Sequence, residues 1–142
     1  MTGVVPIGHV RSGYTDPELL PPQSLHNVGT TGSVVVRDDL IDALLGLDRY
    51  EFLWLITWLH AEPIESQSTP LQLVPRATEA TGEVQGVFAS RAPQRPNPIG
   101  LSLVSNRGVH GNVVDFAGVD LLDGTPVLDV KPWFADADEP PR

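Results

Sequence analysis

Cysteine is absent from the chain. That excludes a disulfide framework, a thiolate nucleophile and any cysteine-based zinc site, and it fits a reducing, cytoplasmic compartment. Lysine is almost absent too: Lys131 is the only one among nine basic residues, the rest being arginine. Arginine dominance suits planar, bidentate recognition, and it follows equally well from GC-rich coding. No long hydrophobic run exists. The longest, within Phe52–Leu59, falls far short of the ~20 residues a membrane helix needs. The start of the chain lacks a charged region followed by an apolar one, so no signal peptide is expected. Missing as well are G-x-G-x-x-G, the phosphate loop ending in Gly-Lys-Ser/Thr, G-x-S-x-G and H-E-x-x-H, and with them the common nucleotide, hydrolase and metalloprotease signatures. His9, His26, His60 and His110 are scattered without ligand spacing, so no metal is expected.

Against the nine basic residues stand eighteen acidic ones, a formal charge of −9. Such a balance argues against a broad nucleic-acid-binding face, because phosphate contacts need positive charge. It leaves room for a small basic pocket in a negative shell. The 142 residues suit one domain, since domains typically run ~100–150 residues. No internal repeat is visible.

Short apolar segments separated by turn residues dominate the chain. Val4–Val10, Ser33–Val36, Phe52–Leu59, Glu83–Ala89, Ile99–Val104, Val113–Ala117 and Val127–Lys131 read as strands, and Leu71–Val74 is a short apolar piece stopped by Pro75. Phe52–Leu59 has no solvent face and reads as a strand buried on both sides, central in a barrel. In Val127–Lys131, simple alternation puts Leu128 and Val130 on one face and Asp129 and Lys131 on the other. One helix is expected, capped by Asp38 or Asp39, with Leu40, Ile41, Leu44 and Leu45 on one side and Gly46 as its stop. Residues 13–31, holding Pro17, Pro21, Pro22 and Gly29, read as a long irregular excursion, usually functional or mobile in a compact domain. The fold class is therefore mainly all-β: a small barrel of seven to eight short strands with one short helix. The barrel domain is expected over 1–134, with residues 135–142 a frayed acidic tail.

Three stretches carry unusual chemistry. "SRAPQRPNPIGLS", Ser90 to Ser102, holds Arg91, Arg95 and Asn97 between Pro93, Pro96 and Pro98. Prolines fix φ and push their predecessors toward extended geometry, so these side chains have little freedom. Three missing backbone donors also exclude an interior strand. The residues alone leave two options, a crossover with solvated arginines or a binding loop. "GVDLLDGTPVLDVKPW", Gly118 to Trp133, places a turn at Asp123-Gly124-Thr125-Pro126. It is either a plain hairpin or an acceptor-lined loop. His60, closing the apolar run, is either structural or part of a site.

Taken in order, "IGHVRSGY" (7–14), Pro21-Pro22-Gln23, "ALLGLDRYEFLWLITWLH" (43–60), "GVFASRAPQRPNPIGLSLV" (86–104) and "VDLLDGTPVLDVKPW" (119–133) resemble the TsaA-like (YaeB-type) family, whose characterised members are tRNA methyltransferases. The resemblance runs through nearly the whole chain, and 86–104 is its most specific part. It implies a small β-barrel that binds S-adenosylmethionine without a Rossmann sheet, which accounts for the missing glycine fingerprint. It further implies a homodimer with the cofactor near the interface, and methylation of N6 of threonylcarbamoyladenosine beside the tRNA anticodon. By motif position the cofactor contacts fall on Pro22, Gln23, His60, Arg91, Leu101 and the segment Asp120, Leu121, Leu122, Asp123, Gly124 and Thr125. Arg95, Asn97 and Lys131 fall toward the substrate, and no catalytic proton acceptor is assigned. Arg91 can form a fork with the cofactor carboxylate, Asp120 or Asp123 can accept from its ribose hydroxyls or amines, Leu101 and Leu121 offer apolar contact to adenine, and backbone groups around Gly124 can read its edge. Ala61 and Ser24 replace a glutamine and a proline frequent in the family, and better-known bacterial members carry a second C-terminal domain. Two other readings remain: a methyltransferase of this fold acting on a small molecule or another nucleoside, and a non-enzymatic cofactor-binding module.

Overall fold

β-Branched and leucine residues alternating with polar ones produce strands with one face buried, and six such strands close on themselves here. The computed structural model describes residues 3–14, 30–59, 70–118 and 121–141. His60, Pro22, Gln23 and Asp120 lie outside the described residues, as does most of the 13–31 excursion.

The strands are β1 (Gly8–Arg11), β2 (Thr31–Val36), β3 (Phe52–Trp58), β4 (Gln72–Leu73), β5 (Gln85–Gly86), β6 (Ile99–His110), β7 (Val113–Ala117) and β8 (Pro126–Pro132). Each of the seven expected segments contains a strand, and the apolar piece at Leu71–Val74 supplies β4. Six build a closed antiparallel barrel in the order β1-β2-β7-β6-β3-β8, and β4 pairs only with β5 in a separate hairpin. Closure leaves the barrel no free edge. Its core is Val10, Val34, Leu53, Leu55, Val104, Val114, Phe116 and Val127, all without solvent exposure. Each such side chain contributes about 1.5–3 kcal/mol of transfer free energy.

β3 lies between β6 and β8. Leu53, Leu55 and Thr57 are buried while Phe52, Trp54 and Ile56 are half-buried. The outer face is only partly covered, so the strand is central without being buried on both sides. In β8 the expected alternation breaks. Ile56 pairs with Asp129 and Thr57 with Val127, so Leu128 is the extra residue of a bulge, which resets the phase. Val127 is fully buried and Val130 packs on the same core. A second bulge, at Arg107 in β6, lets that long strand turn from β3 to β7.

The expected helix is instead a 3-10 segment over Asp38–Leu44, with a further 3-10 turn at Leu47–Arg49 after Gly46 (φ 85°). Neither aspartate caps it. Asp39 binds Arg37 through two contacts of 3.1 and 2.7 Å, and Asp38 accepts from the Asn112 side chain at 3.2 Å. The Arg37 hydrogen bond holds the Asp39 carboxyl below its ordinary range, and the same contact raises Arg37. Leu40 and Leu44 pack on the core while Leu45 is 94% exposed. Glu83–Ala89 is shorter than expected because the strand passes into a 3-10 turn at Val87–Ala89. From residue 135, where fraying was expected, the chain forms a one-turn helix α1 (Ala135–Asp138). Asp138 accepts from the Phe134 N–H at 2.8 Å and from the Trp54 indole at 3.2 Å, tethering the turn to β3.

Candidate functional site

Strand register gathers the predicted residues that are described, apart from Lys131, around one end of β3. Trp58 pairs with Ile99, and the Leu59 N–H donates to the Pro98 carbonyl at 2.6 Å. The arginine-bearing loop therefore enters β6 on one side of the β3 end. On the other side Thr57 pairs with Val127, so the loop preceding β8 lies opposite. β1 closes the ring: Val10 donates to Thr125 O at 2.8 Å and accepts from Gly124 N at 2.7 Å.

Within the proline loop the two arginines differ. Arg95 turns back on its own chain, its Nη1 donating to the Ser90 and Ala92 carbonyls at 3.0 Å each. This braces the loop that the prolines already stiffen. Arg91 and Asn97 are exposed. Leu101, on the outer face of β6, is 57% exposed and offers an open apolar surface two residues into the strand.

The segment before β8 is tightly self-satisfied. Leu121 is only 4% exposed and belongs to the core, so the barrel interior, rather than an adenine ring, occupies its side chain. Thr125 is buried, with its hydroxyl on Leu122 O at 2.7 Å. The Gly124 N–H is taken by Val10 and the Asp123 N–H by Tyr14 O at 2.7 Å, so neither donor is left for a ligand edge. Gly124 adopts φ 84°, a left-handed conformation that glycine accepts without strain. What stays open is an acceptor. Asp123 Oδ1 takes the Ser12 N–H at 3.0 Å, and its other oxygen has no partner among the described residues. That arrangement suits hydroxyl and ammonium donors. Leu122, half-buried, lies beside it. Lys131 is remote from this segment along β8 and pairs with Asp129 at 3.1 Å.

The family model of the tRNA-methyltransferase O N-terminal domain matches residues 9–139. The chain belongs to this family. A Methanothermobacter thermautotrophicus protein named "Probable S-adenosyl-L-methionine-binding protein" is 34% identical over 133 residues, covering 94% of this chain and 90% of that one. A mouse tRNA (adenine(37)-N6)-methyltransferase is also 34% identical, over 95% of this chain but only 31% of its own length. The crystal structure of TrmO from Pseudomonas aeruginosa superposes with a TM-score of 0.77 at 33% identity, covering 98% of this chain and 58% of that chain. The chain thus spans most of the archaeal relative and about a third to just over half of the other two.

In this tRNA-methyltransferase O domain, sequence reasoning missed the residues that hold the site's loops. Ser12 donates its hydroxyl to Leu121 O at 2.8 Å as well as its N–H to Asp123, and Tyr14 O anchors Asp123. The signal was the run "IGHVRSGY", whose polar end follows directly on a barrel strand. Among the described residues no group of three or more histidines and carboxylates is placed to hold a metal ion, and no helix is long and apolar enough to cross a membrane.

Proposed function

We propose that the chain is an S-adenosylmethionine-dependent methyltransferase acting on N6 of threonylcarbamoyladenosine next to the anticodon of tRNA, in the cytoplasm. The observation that carries this reading is the convergence of the 90–101 and 121–125 segments on the end of β3, in a chain matched over residues 9–139 by the tRNA-methyltransferase O N-terminal domain. The residues fit the cofactor's chemistry. Arg91 supplies a planar cation for a carboxylate, Asp123 an open carboxylate oxygen for hydroxyls or an ammonium, and Leu101 an exposed apolar face. Pro22, Gln23, His60 and Asp120 complete the set by motif position. When bound, the cofactor supplies an electrophilic methyl group for in-line displacement. The protein's part is to hold both reactants in line, so rigidity matters more than an acid or base. Three prolines, the Arg95 brace and the Ser12–Asp123 contacts supply that rigidity before any ligand arrives.

The domain acts as a homodimer in this reading. Large apolar side chains stand exposed on both sides of the arginine loop: Leu71 and Phe88 on the β4–β5 hairpin at its start, and Trp58, Ile99 and Leu101 at its end. A second copy covering them would close the cofactor site from outside and exclude water. Asn97 then faces the incoming nucleotide. The formal charge of −9 favours one alternative, a small-molecule or free-nucleoside acceptor. Mass spectrometry of tRNA nucleosides from a deletion strain separates the two. Loss of the N6-methylated threonylcarbamoyladenosine supports the tRNA reading, and an unchanged level sinks it.

A further inference from the structure

Several described cations of this acidic chain are engaged locally. Arg37 holds Asp39, Lys131 holds Asp129, and Arg95 folds onto its own loop. The side chains of Arg11, Arg49, Arg76 and Arg107 instead form no hydrogen bond or ion pair among the described residues, although all four are exposed and carboxylates outnumber them. Of these, Arg11 and Arg107 line one open groove, of about 750 Å³, on the outer wall of the barrel.

Register explains how residues 96 positions apart in sequence come to share it. Arg11 pairs with Ser33, Ser33 with Asp115, and Asp115 with Gly108, beside the bulged Arg107. The row crosses four adjacent strands, a span of roughly 14 Å at the usual inter-strand spacing. Between the arginines stands Asp115, its Oδ1 accepting from Ser33 Oγ at 2.6 Å and its Oδ2 lying 3.8 Å from His110 Nε2. A carboxylate amid a cationic row repels a bare phosphate. It suits a ligand in which hydroxyl donors alternate with anionic groups, which is the repeating chemistry of a ribose–phosphate chain.

We propose that the groove of Arg11, Ser33, Arg107 and Asp115 binds the sugar–phosphate backbone of RNA, with the arginines on phosphates and Asp115 on a ribose 2′-hydroxyl. This rests on the tRNA reading above and locates part of the grip. The groove adjoins the candidate cofactor segment directly, because Ser12 lines the groove and also holds Asp123 and Leu121. An RNA strand lying along the row therefore passes next to the site where its base would be methylated. It also shows how a chain of charge −9 can hold RNA, through a short local strip rather than a basic face.

The test is fluorescence anisotropy of an anticodon stem–loop RNA, titrated at several salt concentrations, with S-adenosylmethionine affinity measured separately by calorimetry. Arg11→Gln and Arg107→Gln should each weaken RNA binding on the order of tenfold and flatten the log–log salt dependence by about one contact. Cofactor affinity should stay at the wild-type value, and Arg107→Lys should retain most of the RNA affinity. Asp115→Asn should narrow the preference for RNA over DNA of the same sequence. Wild-type RNA affinity and salt slope in both glutamine variants would overturn the proposal while leaving the tRNA reading intact. So would displacement of the labelled RNA by adenosine monophosphate or inorganic phosphate with equal potency, which identifies a small-anion site. A wild-type protein that binds the cofactor but no RNA at any salt concentration overturns the tRNA reading itself, and this one with it.

Discussion

Arg91 is the side chain whose removal speaks most clearly. If it forks onto the cofactor carboxylate, Arg91→Ala weakens S-adenosylmethionine binding by about 1.5–3 kcal/mol, the scale of a charged hydrogen bond, and calorimetry showing wild-type affinity refutes the assignment. Thr57 makes a different kind of statement. Its hydroxyl is fully buried in the barrel and is an unpaired buried polar atom among the described residues. Thr57→Val removes that penalty at nearly constant volume, so the melting temperature should stay level or rise. A fall would show that the hydroxyl has a partner in the protein's working state. What could be read in advance about single residues was uneven. The chemical character of exposed side chains such as Arg91 and Leu101 was legible from residue type alone. Leu121 and Gly124 were not, since only the closure of β1 on the 121–125 loop reveals that the core and Val10 already occupy them.

Among the structural elements, the strands were legible and the helix was not. Alternation and turn residues are local signals, and the seven segments expected as strands each formed one. The 3-10 segment at Asp38–Leu44 looked like a capped α-helix, but Asp39 pairs with Arg37 and Asp38 with Asn112, the latter a contact that no local pattern announces. Bulges are equally hidden, because an extra residue at Leu128 is defined only against the partner strand. Gly8 shows how closely two elements meet. A Cβ there would lie 2.2 Å from Val35 O, backbone that cannot swing aside. Gly8→Ala should therefore cost about 1–3 kcal/mol as an overpacking substitution, read as a lower urea midpoint at unchanged slope. An unaltered midpoint would mean that β1 and β2 separate freely.

Assembly and charge belong to the molecule taken entire. Exposed Phe88, at 80%, and Leu71, at 72%, are costly on a monomer and useful at an interface. Phe88→Asp should leave the barrel folded by circular dichroism while shifting sedimentation from dimer to monomer and weakening cofactor binding. A wild-type protein that sediments as a monomer at working concentration contradicts the dimer. The barrel's closure and strand content could be anticipated from the chain, whereas strand order, and with it the meeting of Arg11 and Arg107, could not, since that juxtaposition spans four strands. The central claim is methyl transfer to tRNA. Its most direct measurement is incubation of the purified chain with labelled S-adenosylmethionine and tRNA bearing threonylcarbamoyladenosine, followed by nucleoside mass spectrometry. Label on N6 of that nucleoside, lost in Arg91→Ala, is the predicted result. Saturable cofactor binding with no label transferred to the tRNA would contradict it.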